Sequence, residues 1–239
     1  MRIATWNLDS VHDLSAAREA AFITAMSAAN ADVWVLTETW VGWSPGAGYT
    51  LVSESHVAID LMQSPPRRWV AIWVKSGLAA TPLWVHSQPD RMACVRIGLS
   101  GGRGLVVVGT VLPWRSDPYW PGAVGYTAAL VKQSAEWGDV CGMRWRDTLA
   151  VVGDINEAIP HPPTIGSAAG AALLDEALAS NQLVCLTPGA DPHTGLPRID
   201  HICVSNNGFD NAAPPIPIAV GHAVNCRAGV YVDLPIGNA

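Results

Sequence analysis

The sequence predicts an α/β protein in which two β-sheets pack face to face and the helices lie outside them. Three observations carry this expectation. Strand-like segments outnumber helical ones, several follow one another with no helix between them, and the polar residues gather where the most apolar strands end. Strands in direct succession disfavour a doubly wound parallel sheet, in which strand and helix alternate. Two sheets sharing one core satisfy the pattern instead. With 239 residues and no repeat, low-complexity tract or long linker, the chain reads as a single domain over 1–239.

Arg2 to Leu8 (RIATWNL) alternates apolar and polar residues, the period of a strand. Ser15 stands where a helix cap belongs, and Ala16, Ala20, Ile23 and Ala28 give the helix that runs to about Asn30 an apolar face. Asp32 to Thr37 (DVWVLT) is a nearly continuous apolar run, as in a strand covered on both faces. Short strands are expected at Thr50–Ser53, Trp69–Val74, Leu83–Val85 and Met92–Ile97, and Leu105–Thr110 (LVVVGT) is a core strand. A helix follows over Val124–Trp137, then a buried strand at Asp147–Gly153, a helix at Ala169–Ser180 and a short strand at Leu183–Leu186. Ile199–Val204 and Gly229–Leu234 are the last two strands expected.

Composition narrows the function classes. Hydrophobic residues make up 49% and charged residues 14%, with mean hydropathy +0.22, which excludes an intrinsically disordered chain. No apolar run reaches the ~18 residues of a membrane span. Because Met1 to Asn7 enters a strand at once, no signal peptide is expected. The five cysteines are odd in number and lack a CxxC pair, so they read as reduced thiols of a cytoplasmic protein. A net charge of −6, with two lysines, argues against a broad electrostatic grip on nucleic acid. The eleven tryptophans read mainly as core fillers.

Four short motifs sit at strand ends. Asn7 in Trp6-Asn7-Leu8 reads by itself as a turn residue, whereas Glu38 follows an apolar run too directly for an ordinary solvated face. Gly153-Asp154-Ile155-Asn156 ends a strand on glycine and places Asp and Asn two apart, as a functional pair or as an Asx-type turn. Arg198-Ile199-Asp200-His201 puts an acid at the mouth of a strand, with a surface ion pair as the competing reading.

In their order along the chain these motifs resemble the endonuclease/exonuclease/phosphatase superfamily, which includes deoxyribonuclease I-like nucleases, abasic-site endonucleases, sphingomyelinases and inositol polyphosphate phosphatases. The resemblance extends from Arg2 to Leu234. It implies a four-layer sandwich of two mostly antiparallel sheets with helices outside. It also implies a hydrolase of phosphate esters that uses Mg²⁺ or Mn²⁺ and leaves open whether the substrate is nucleic acid, a small phosphorylated molecule or a lipid. Such chemistry needs a divalent cation to neutralise the phosphoryl oxygens and leaving group, and hard Mg²⁺ takes few protein ligands, all oxygen. By resemblance, Asn7 and Glu38 form the metal-binding pair, and Asp154 orients or deprotonates the attacking water. Asn156 hydrogen-bonds the phosphate or that nucleophile, and Asp200 orients a catalytic histidine near the C-terminus.

The sequence departs from the family at that histidine. Relatives carry Ser-Asp-His before the final strand, and the matching residues here are Asn225-Cys226-Arg227. A second family histidine, in Thr-His, is replaced in Thr110-Val111. Three readings follow. Arg227 stands in as a permanent cation paired with Asp200, and turnover is then slow because arginine does not exchange protons. Alternatively His222 reaches the site, or the chain is an inactive homologue that keeps a metal- or ligand-binding pocket. Trp114 and Arg115 are candidates to stack on or grip substrate, or else form a rigid turn. His201 reads as a packing residue, the scattered histidines give no zinc signal, and Arg67-Arg68 reads as a loop tip.

Overall fold

The computed structural model describes residues 1–8, 16–56, 66–114, 117, 122–142, 147–162, 166–191, 194–206, 215–218 and 228–235. Among these residues, twelve strands form two six-stranded sheets. The first sheet has the order β11(Ile216–Ile218), β12(Gly229–Asp233), β1(Arg2–Asn7), β2(Val33–Trp40), β4(Arg67–Lys75), β3(Tyr49–Glu54). The second has β5(Ala80–Leu83), β6(Met92–Gly98), β7(Gly104–Val111), β8(Thr148–Asp154), β10(Asp200–Ser205), β9(Leu183–Cys185). Among the described strands only β1–β2 and β7–β8 pair in parallel, so the sheets are mostly antiparallel as expected. The late strand β12 fits between β11 and β1, where Thr5 faces Val230 and Arg2 faces Asp233.

The layers follow from burial. Between the sheets lie Ile3, Val33, Val35, Val70 and Ile72 from one side, and Val95, Val107, Ala150, Val152 and Ile202 from the other. Val107 and Val152 are both fully buried, which is why β7 and β8 read as unbroken apolar runs. At Gly109 the sheets come so close that an added Cβ would lie 2.5 Å from Val70 Cγ1, a crowding that only glycine avoids. Helix α1(Ala16–Ala29) covers the first sheet through Phe22 and Met26, which pack against Trp6, Trp34 and Leu36. Helices α2(Gly122–Gly142) and α3(Ala168–Ser180) cover the second through Leu130, Trp137, Leu174 and Leu178. Helix α3 is capped by Ser167, whose hydroxyl accepts from the Gly170 N–H at 3.0 Å.

Two elements depart from the expectation. The strand expected at Leu83–Val85 lies earlier, at Ala80–Leu83, because Val85 leaves the ladder for the helix-side core and Trp84 turns to solvent at 77% exposure. Pro82 sits within β5, which is tolerated because β5 is an edge strand. The second difference is β11, which no sequence signal announced. Its central Pro217 argues against a strand, yet it too lies on an edge. Arg67 and Arg68 open β4 and are not a loop tip. No described helix is long and apolar enough to cross a membrane.

Candidate active site

One end of the sandwich collects the polar strand ends. Strands β1 and β2 run parallel in one sheet and β7 and β8 in the other, and the ends of β1 and β8 meet. The Asn7 side-chain amide at the end of β1 donates to Glu38 Oε1 of β2 at 2.9 Å and to Asp154 Oδ2 of β8 at 2.8 Å. A single NH₂ group thus joins two carboxylates from opposite sheets. Asp154 is 1% exposed and Asn7 5%, so this contact forms away from bulk water.

The backbone sets each of these groups by local departures from ideal strand. Glu38 lies inside β2 with φ +51°, between the regular pairs Thr37–Val70 and Thr39–Arg68. A left-handed residue in mid-strand is costly, and such strain concentrates at functional sites. Gly153 precedes Asp154 with φ +138°, and a Cβ there would lie 2.2 Å from the Thr110 carbonyl oxygen. Gly153→Ala therefore meets both a forbidden conformation and backbone, and is expected to cost at least about 2 kcal/mol by urea unfolding. Full stability in that variant would show that β7 and β8 relax there freely.

Asn156, with φ +54°, closes the turn after Asp154. Its backbone N–H donates to Asp154 Oδ1 at 3.0 Å, and its side-chain amide donates to the Leu112 carbonyl at 2.8 Å. The Asx-type turn is thus formed, and the Asn156 side chain is turned toward the Leu112 carbonyl. Asp200 opens β10 directly opposite Asp154 and is 2% exposed. Two residues earlier, Arg198 is 8% exposed rather than on the surface. Burial lowers its affinity for the proton, opposed by the carboxylates of Asp191 and Asp200. His222 and Arg227 lie outside the described residues, as does Arg115. The first described residue after them, Ala228, donates its N–H to Asp191 Oδ2 at 3.0 Å.

Several contributing residues were not legible as such in the sequence. Arg67 Nη1 lies 3.9 Å from Glu38 Oε2, and its guanidinium stands 5.2 Å from the centre of the Trp69 ring. The same ring also meets Arg91, which is 2% exposed, lies 4.0 Å from Trp69 and 5.7 Å from Trp114, and pairs with the buried Asp117 at 2.6 Å. Trp69 and Trp114 are themselves 5.8 Å apart. The sequence shows these residues, but only the strand register brings Arg67 opposite Trp40, beside Glu38. His201 is fully buried, with Nε2 3.1 Å from the Glu157 carbonyl and Nδ1 3.2 Å from that of Thr187. This burial agrees with the packing reading of the sequence.

Two facing mixed sheets with helices outside, and a carboxylate–amide cluster at the strand ends, define the deoxyribonuclease I-like class of α/β sandwich. The model of the endonuclease/exonuclease/phosphatase family matches residues 4–222, and the chain belongs to that family. An AP endonuclease from Archaeoglobus fulgidus is similar, with TM-score 0.69 and 16% identity over 98% of this chain and 99% of that one. AP endonuclease LMAP from Leishmania major gives TM-score 0.70 and 14% identity over 98% and 88%. The 3'-5' exonuclease NExo from Neisseria meningitidis gives TM-score 0.65 and 18% identity over 98% and 99%. A 3' phosphatase NExo from Neisseria, bound to a product DNA hairpin, gives TM-score 0.67 and 17% identity over 98% and 99%. No curated protein matches the chain in sequence.

Proposed function

We propose that this protein is a divalent-metal-dependent hydrolase of phosphate esters, with nucleic-acid phosphates as the favoured substrate class. The observation that carries the reading is the Asn7 amide shared between the Glu38 and Asp154 carboxylates. Two buried or half-buried anions held this close need a positive partner, because burying like charges together is costly. Here Arg67 supplies part of that positive charge, and the Asn7 amide adds a hydrogen bond to each carboxylate. Among the described residues no group of three or more His, Cys, Asp or Glu is placed to hold a metal ion. The oxygens that converge are those of the two carboxylates, hard donors that fit Mg²⁺ or Mn²⁺ bound by few protein ligands and several waters, and Asn7, whose NH₂ now faces them, would join through its Oδ1 after the amide turns.

In this reading Asn7 and Glu38 hold the ion, which when bound supplies charge neutralisation at the phosphoryl group. Asp154 orients or deprotonates the attacking water. Asn156 rigidifies the turn that carries Asp154 and faces the phosphate. Asp200 and Arg198 form a charged wall beside them, and Arg227 or His222 completes the site from the segment before β12. The names of the similar structures, among them an AP endonuclease and a 3' phosphatase bound to product DNA, support a nucleic-acid substrate. The odd cysteine count supports a reducing, cytoplasmic setting.

The test is hydrolysis of bis(p-nitrophenyl) phosphate and of a short single-stranded DNA, with Mg²⁺ and with Mn²⁺, beside Glu38→Gln. Turnover is expected in the parent, abolished by EDTA, and lowered at least about 100-fold in the variant, as loss of several kcal/mol of charge stabilisation requires. Calorimetric metal binding with no turnover of either substrate would instead make the chain a binding homologue.

A further inference from the structure

A second chemical centre lies on the far edge of the second sheet, beneath α2 and α3. Cys185 of β9 and Cys203 of β10 are both free thiols and are direct cross-strand partners. The Leu186 N–H donates to the Ile202 carbonyl at 2.8 Å and the Asn206 N–H to that of Gln182 at 3.0 Å. Hydrogen-bonded and non-hydrogen-bonded pairs alternate along an antiparallel ladder. Cys185–Cys203 is therefore a non-hydrogen-bonded pair. Such pairs bring Cα atoms to about 4.5 Å and side chains close on one face, inside the range a disulfide spans. Cys203 is fully buried, whereas Cys185 is half-buried on the edge strand next to Val184, which is 45% exposed. The Sγ of Cys185 also lies 3.5 Å from His201 Nδ1 and 3.9 Å from Thr187 Oγ1.

We propose that Cys185 and Cys203 are an oxidation site, closed by hydroperoxide into an inter-strand disulfide across β9 and β10. The two thiols are not equivalent. The Cys203 thiol and the His201 imidazole hold Cys185 below the usual thiol range, and its proximity and burial push Cys203 up. Cys185 is thus the thiolate that attacks peroxide. Its sulfur bonds to one peroxide oxygen as the O–O bond breaks, leaving a sulfenic acid and releasing water once the departing hydroxide is protonated. Cys203 sulfur then attacks Cys185 Sγ, the S–O bond breaks, and the hydroxide takes the Cys203 proton and leaves as a second water. Two thiols are oxidised by one peroxide. The bond would close the segment 186–202, which carries Arg198 and Asp200.

The test treats the full chain, in a Cys141→Ser/Cys226→Ser background, with hydrogen peroxide, followed by alkylation and peptide mass mapping. The expected product is a Cys185–Cys203 cross-linked peptide pair, with Cys94 still alkylated. That thiol is buried and pushed up to about 12, mainly by desolvation. The cross-link is expected to raise Tm by about 5 °C or more, reversibly with dithiothreitol. Cys203→Ala, which keeps a small apolar residue in the core, is expected to stop Cys185 at sulfenic or sulfinic acid with no gain in Tm. The proposal is overturned if Cys185 over-oxidises without the cross-link in the background protein. It is equally overturned if both thiols stay fully alkylatable at peroxide doses that oxidise a free thiol peptide.

Discussion

Asp154→Asn is expected to lower kcat for phosphodiester hydrolysis by about 10²–10⁴-fold, the range for removing a positioned general base. The substitution preserves shape and leaves Oδ1 in place as an acceptor for the Asn156 N–H. It removes the negative charge and sets an amide against the donor amide of Asn7, where a carboxylate oxygen now accepts at 2.8 Å. The fold is held by the two cores on either side of β8, so the variant's Tm is expected to stay within a few degrees of the parent's. Steady-state rates beside a melting curve separate the two effects. A kcat within tenfold of the parent in a folded variant would remove Asp154 from the chemistry.

The largest stability effect is expected at Arg91. Its guanidinium is 2% exposed, held over Trp69 and paired with fully buried Asp117 at 2.6 Å. Among the described residues its Nε and Nη1 atoms have no hydrogen-bond partner, so the aromatic faces and a single carboxylate hold the cation. Arg91→Met removes the charge that faces Asp117 and is expected to cost about 3–5 kcal/mol in urea unfolding. Adding Asp117→Asn should recover part of that loss, because the remaining cost is a buried carboxylate without its cation. Since Trp69 also meets Arg67 beside Glu38, the single variant should raise KM for phosphate esters as well. A loss below about 1 kcal/mol would mean that water reaches and solvates the pair.

The sequence made the architecture legible because central strands such as β2, β7 and β8 are apolar runs, whereas the apolar face expected of α1 is displaced: Ala16, Ala20 and Ala28 are exposed, and Phe22, Met26 and Ala29 are buried instead. What it hid were elements whose residues contradict their local preference. Pro217 in β11 and Pro82 in β5 are tolerated only because each strand lies on an edge, and edge position is a property of the assembled sheet. The oxygen-rich half of the candidate site, the amide Asn7 and the acids Glu38, Asp154 and Asp200, could be picked out because these residues interrupt or end apolar runs. The basic half was not. Arg67 and Arg91 stand near ordinary strand starts, and nothing local distinguishes an arginine bound for Glu38 or Asp117 from one bound for solvent. Arg198 was visible, but its burial follows from packing behind β10 and not from its neighbours in sequence.

The position of β12 between β11 and β1 has a consequence for biosynthesis. Strand β1 leaves the ribosome long before the partner that covers its open flank is made, because Arg2 and the Asp233 it faces lie 231 positions apart. Until then β1 offers an unpaired edge of backbone donors and acceptors to any passing chain. Vectorial synthesis thus keeps the first sheet incomplete and the cluster around Asn7 unsupported on one side. In the cell, this nascent chain should depend on holdase protection until β12 has been made, and a stall shortly before residue 229 should be an aggregation-prone moment.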